Sequence, residues 1–155
     1  MRALKLVQHM KSDADGMSSA VLEKIRASKK CTELLARVPA PEQKRYALEI
    51  YSALTDWLAT ETDPSLEPQY VALGMRRAQQ GIPVSEMFWA VCIAREYLWE
   101  YMQQECLIEE PVEFWGGVML LRSLNRFFDF ALYFTFVGYQ KAGKNELLAW
   151  SSLSA

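Results

Sequence analysis

The 155-residue sequence is poor in the groups from which most active sites are built. It has one histidine, His9, close to the N-terminus. With a single imidazole, no second base is left to activate a serine or cysteine. A haem or nitrogen-rich metal site has no ligand set either, and His9 is poorly placed as an axial ligand. The three cysteines, Cys31, Cys92 and Cys106, are odd in number and far apart, with no CxxC pair. That usage suits a reducing compartment and points to a cytoplasmic protein. There is no GxSxG element, and Gly116-Gly117 has no strand before it to make a phosphate loop. Nothing in the chain calls for an enzyme, and neither cofactor nor metal is expected.

Other absences bound the partners. The net charge is -2, so the positive field needed by a general nucleic-acid binder is missing. The basic cluster Lys24–Lys30 reads as a solvated helix face. No run reaches the ~20 apolar residues of a membrane span. The best, Phe127 to Tyr139, contains Asp129. The N-terminal MRALKLVQHMK is broken by Lys5 and Gln8, which excludes a signal sequence. Strict alternation of apolar and polar residues is absent, and the one Asp-Gly, at Asp15-Gly16, lies beside helical patterns. No internal repeat is found.

What remains is helical periodicity, read as one domain over residues 1–155. Residues 1–12 are expected as a flexible or frayed end and 144–155 as a tail or short helix. A first helix runs from Met17 to near Ser28, and a weaker helical turn from Cys31 stops before Pro39. Pro41 opens a helix to about Thr60. Asp63-Pro64 caps another that continues through Arg77. Gly81-Ile82-Pro83 ends it, with glycine free to take the left-handed cap position. The next helix spans about Pro83 to Glu105. Glu109-Glu110 suit the positive start of the last, Pro111 to Ala142, which Gly143 closes. Short connections imply antiparallel neighbours, and the expected fold is an all-α bundle of five to six helices with a long C-terminal helix.

That last helix would be roughly 45–50 Å long. Leu120, Leu124, Phe127, Ala131 and Phe134 run down one side, and Leu121, Phe128, Leu132 and Phe136 down a neighbouring one. A narrow polar seam remains: Arg122, Asn125, Arg126, Asp129, Tyr133. A helix this apolar is the spine of a bundle, or a second copy of the chain covers its flank. The aromatic residues outnumber what two helices can bury, so Phe130, Phe134 and Val137 are candidates for a homodimer interface formed with the Pro83–Glu105 helix.

Two charges stand in apolar stripes. Arg95 lies between Val91 and Leu98, and Asp129 between Phe128 and Phe130. A charge in a core stripe is costly unless paired. Both are expected to be at least partly buried, with Asp129 facing Arg95 across the bundle as a pair that fixes register. The alternative sends each to a rim with its stem over apolar surface. A further reading is a small-molecule site for an apolar or aromatic ligand near Trp99, Phe128 and Tyr133.

The segment LGMRRAQQGIPVSEMFWA, Leu73 to Ala90, followed by Ala94-Arg95-Glu96 and Trp99, resembles the N-terminal domain of RsbR/RsbRD-type RsbT co-antagonists. LNRFFDFALY, Leu124 to Tyr133, with Gly138-Tyr139, resembles the last helix of the same family. The likeness covers roughly Met17 to Ala142. It lies in an arginine-rich helix end (Arg77), a Gly-Ile-Pro hinge (Gly81) and an arginine before a tryptophan (Arg95, Trp99). It implies a regulatory sensor domain of helical fold, with a globin-like arrangement lacking haem among its forms. It also implies dimerisation and a protein partner in a stressosome-like signalling assembly. Such domains usually precede an effector. None follows here within the sequence, which the resemblance reads as a stand-alone version or a cut chain.

Overall fold

Apolar residues recurring every three or four positions become seven helices among the described residues, with no strand. The computed structural model describes residues 2–60, 66–104 and 111–153. The helices are α1 (Arg2–Ser12), α2 (Ala14–Ser28), α3 (Thr32–Arg37), α4 (Ala40–Thr60), α5 (Leu66–Gln79), α6 (Val84–Gln104) and α7 (Pro111–Leu153). The caps expected at Asp63-Pro64 and Glu109-Glu110, and Cys106, lie outside the described residues. The expected all-α bundle with a long C-terminal helix is what forms.

Two ends differ from the reading of the sequence. The N-terminal residues form α1, which buries Leu6 and Met10 against the bundle. Lys5 and Gln8, which break the run in sequence, sit outside that buried pair and lie exposed. At the other end Gly143 does not close α7, which continues to Leu153. A single glycine costs a helix interior only about 1 kcal/mol, and Lys144-Asn145-Glu146-Leu147-Leu148-Ala149 holds mostly good helix formers.

The breaks obey local chemistry. Lys29 takes the left-handed conformation, φ 60°, after α2. Gly81, φ 74°, does so after α5. There the Gly81 N–H donates to Ala78 O and the Ile82 N–H to Arg77 O, both at 3.0 Å. This is the paired closure that a glycine just past a helix permits. From α7, the Tyr139 hydroxyl donates to Ile82 O at 2.8 Å and pins the turn.

Helix α3 has only six residues, too few to stand alone. Side chains from two neighbours cap it. The Glu86 carboxylate of α6 accepts from the Glu33 and Leu34 N–H groups at 3.0 and 3.2 Å. The Gln43 amide of α4 donates to Leu35 O and Val38 O at 3.2 and 2.8 Å. Both orphan ends of the helix are thereby satisfied.

The core lies between α4, α6 and α7, around Tyr51, Leu54, Leu98, Leu124, Phe127 and Phe128. Helix α7 packs most extensively on α5, and much less on α6 than the sequence suggests. The cause is a pair of glycines. A Cβ on Gly74 would run into Thr135 O, and one on Gly138 into Val71 O. The two backbones meet where no side chain intervenes.

Candidate functional site

The polar seam of α7 is its solvent side. Arg122, Arg126, Asp129 and Tyr133 are exposed and Asn125 half-buried. Asp129 and Arg95 do approach each other, with 3.7 Å between Nη1 and Oδ1. The Asp129 side chain, however, is 71% exposed and that of Arg95 30%. The burial expected for Asp129 does not occur, because its position on α7 opens outward beside α6. An exposed pair of this length contributes about 0–1 kcal/mol. Tyr133 is exposed with its edge on Phe134 (ring centroids 5.4 Å apart), and Trp99 is half-buried on α6. Phe128 is wholly in the core. Trp99, Phe128 and Tyr133 therefore do not converge on a ligand space.

The buried charges are elsewhere. Glu42, at the start of α4, is 8% exposed and the Arg77 side chain, near the end of α5, 3%. Arg77 Nη1 donates to Glu42 Oε1 at 2.8 Å and to Gln80 Oε1 at 2.7 Å. Arg76 grips the same carboxylate with two nitrogens, at 2.5 and 2.8 Å. Hydrogen bonding from Arg76 lowers the Glu42 pKa to about 2; burial opposes this, and Arg77 adds to the lowering. The Arg77 guanidinium also lies 4.5 Å over the Tyr46 ring. Its Nε–H is buried and has no hydrogen-bond partner among the described residues.

Next to this cluster lies a partly open, apolar cavity of about 100 Å³. Val21, Leu22 and Ile25 of α2, Leu34 of α3, Ile50 of α4, Leu73 of α5 and Val91 of α6 supply its walls. Gln43, Tyr46, Glu49, Gln69 and Arg77 bring the polar atoms. Among the described residues no wall comes from α7. Aromatic side chains of α7 reach the surface on both flanks of the polar seam. Phe130 stacks on Phe134 (6.2 Å, 17°) and meets Trp57 of α4, with Val137 half-buried, while on the other flank Phe136 lies by Phe88 of α6.

A family model described as the RsbT co-antagonist protein rsbRD N-terminal domain matches residues 15–148. The chain belongs to this family. The match spans every helix but α1 in whole or in large part, and it places the protein among regulatory sensor domains of RsbT co-antagonist signalling. No curated protein and no solved structure matches the chain.

For this RsbRD N-terminal domain, two of the residues brought forward by the resemblance, Arg77 and Gly81, stand at one place: the helix end and turn beside the cavity. Glu42 escaped sequence reading. It looks like an ordinary acid in a first helical turn, and its two arginine partners come more than thirty positions later. The remaining titratable groups offer little chemistry. Burial raises the Cys31 and Cys92 thiol pKa values, and burial with it the Tyr51 hydroxyl. Tyr139 is pushed up to about 12, chiefly by burial. Among the described residues no group of three or more His, Cys, Asp or Glu side chains is placed to hold a metal ion. Nor is any helix among them long and apolar enough to cross a membrane.

Proposed function

We propose that the protein is a non-enzymatic, cytoplasmic sensor module that signals by forming a homodimer and by contact with a protein partner in a signalling assembly. The aromatic patch of α7 carries this reading. Tyr133 is 61% exposed, and Phe130, Phe134 and Val137 are half-buried beside it. A contiguous apolar surface of this kind is costly in water and belongs against another protein surface. A two-fold axis across α7 would lay this patch of one protomer on that of its partner. The polar seam beside it would supply the rim, where Arg95 and Asp129 set register rather than bind a ligand.

Sedimentation analysis at micromolar concentration tests the proposal. The expected result is a dimer that Tyr133→Asp and Phe134→Glu convert to monomer with unchanged helical circular dichroism. A wild-type chain that stays monomeric across that range would overturn it.

A further inference from the structure

We infer that the apolar cavity bounded by α2 to α6 binds a compact hydrocarbon-like molecule, of the size of a single six-membered ring, and that its occupancy is passed to α7 through α5. The inference rests on the sensor reading and gives it an input. It concerns a different face from the aromatic patch of α7.

Short side chains leave the space. Ala47 of α4 and Ala90 and Ala94 of α6 line it, at places where larger residues would take up room. Protein interiors are otherwise close-packed, and an empty void forfeits the contacts of its lining. A dry apolar cavity of roughly 150 Å³ takes a benzene-sized ring, whereas drug-sized ligands need roughly 300–1,000 Å³. At about 100 Å³ with one open side, this cavity matches a single ring that reaches the mouth.

The walls are mostly aliphatic, with side chains from all five helices. The polar side chains that border it are largely engaged within the protein. The Gln43 amide is held by Leu35 O and Val38 O, and the Arg77 guanidinium by Glu42 and Gln80. The Tyr46 ring lies under that guanidinium. Glu49 faces Arg45 at 3.7 Å and is 41% exposed. An ionic group among the aliphatic walls would lose its hydration. The cavity therefore selects by shape and by burial of carbon, not by a polar contact. Tyr70 and Leu73 set α5 against the space, and on its far side Val71 O and Gly74 meet α7 at backbone. An occupant that props the walls apart alters the seat of α5, and the crossing has no compliant side chain to absorb the change.

The test titrates the full chain, labelled at methyls and amides, with benzene, benzoate and benzylammonium and follows it by NMR. Benzene should shift the Ile25, Ile50 and Val91 methyls and leave those of Leu124, in the core against α7, in place. It should also shift the Gly74 and Gly138 amides. Benzoate and benzylammonium should each bind at least about tenfold more weakly, because each carries a charge toward apolar walls. Ala47→Val and Ala90→Leu, checked for wild-type circular dichroism, should each weaken benzene binding at least about tenfold by filling the space. No methyl shift with benzene, a charged probe that binds as well, or unchanged benzene binding in a folded filled variant would overturn the site. The wild-type titrations decide it even where a filled variant does not fold. Wall shifts with none at Gly74 and Gly138 would overturn its role as an input. These readouts stand whether or not the chain self-associates, so the dimer reading and this one can fail separately.

Discussion

At the residue scale, Glu42 concentrates the most electrostatic consequence. It bonds two guanidiniums, and one of them, on Arg77, is nearly without solvent. Replacing Glu42 with Gln keeps the shape and leaves Arg77 as a buried cation without its counter-charge. The expected loss is about 3 kcal/mol, roughly 6–12 °C in melting temperature. Acid should act through the same group. Its pKa is about 2 in the folded protein, against an ordinary value of 4.5. A carboxyl depressed by folding stabilises fully above its unfolded pKa and loses that contribution as pH falls through the folded one. Urea midpoints of the wild type should therefore drop steeply between about pH 4.5 and pH 2. The Glu42→Gln variant should show a shallower drop over the same window. Equal slopes would mean that Glu42 is not the group responsible.

At the element scale, α5 holds the pivotal place. Tyr70, Leu73 and Arg77 turn one side of it to the cavity, while Val71 and Gly74 meet α7 at the glycine crossing. Tyr70 also sets its ring edge-on to Phe127 of α7, at 6.3 Å. Any shift of α5 would meet α7 at backbone, not at compliant side chains. Two glycines of α7 and α5 give a direct comparison. Alanine is intrinsically better than glycine in a helix by about 0.5–1 kcal/mol. At Gly143 nothing lies within 4 Å of an added Cβ. Gly143→Ala should then raise stability by about that amount. At Gly74 the new Cβ strikes the Thr135 carbonyl, and overpacking of about 2–3 kcal/mol outweighs the helix gain. Paired thermal melts should show opposite signs, and stabilisation by Gly74→Ala would refute the close crossing.

At the scale of the whole molecule, protection should follow the packing. Around Thr135–Gly138, α7 is held by α5, and Thr135 and Gly138 are buried. From Lys144 to Leu153 every residue of the helix is exposed. Native-state hydrogen exchange should therefore be slowest near Thr135 and fastest beyond Lys144 along the same continuous helix. Uniform protection from end to end would contradict the structure.

Much of this architecture was legible in the sequence. Pro39, Gly81, Pro83 and Pro111 stand at helix limits because their backbone restrictions are local, although Gly143 does not end α7, and a 3.6-residue apolar period is a property of one segment. The Gly81 turn, the long apolar α7 and its polar seam all follow from chemistry within a few residues. The family likeness rests on the same kind of local pattern. Tertiary structure alone decided which charges are buried. Arg95 stands in an apolar stripe and yet is only half-buried, paired at its rim with the exposed Asp129 of α7. Arg77 stands in an arginine pair at a helix end, and is buried where Glu42, thirty-five positions earlier, meets it. Likewise the cavity belongs to no segment: five helices each contribute a few side chains. The partner of α7 was settled by two glycines sixty-four positions apart, whose missing side chains matter only once the backbones cross.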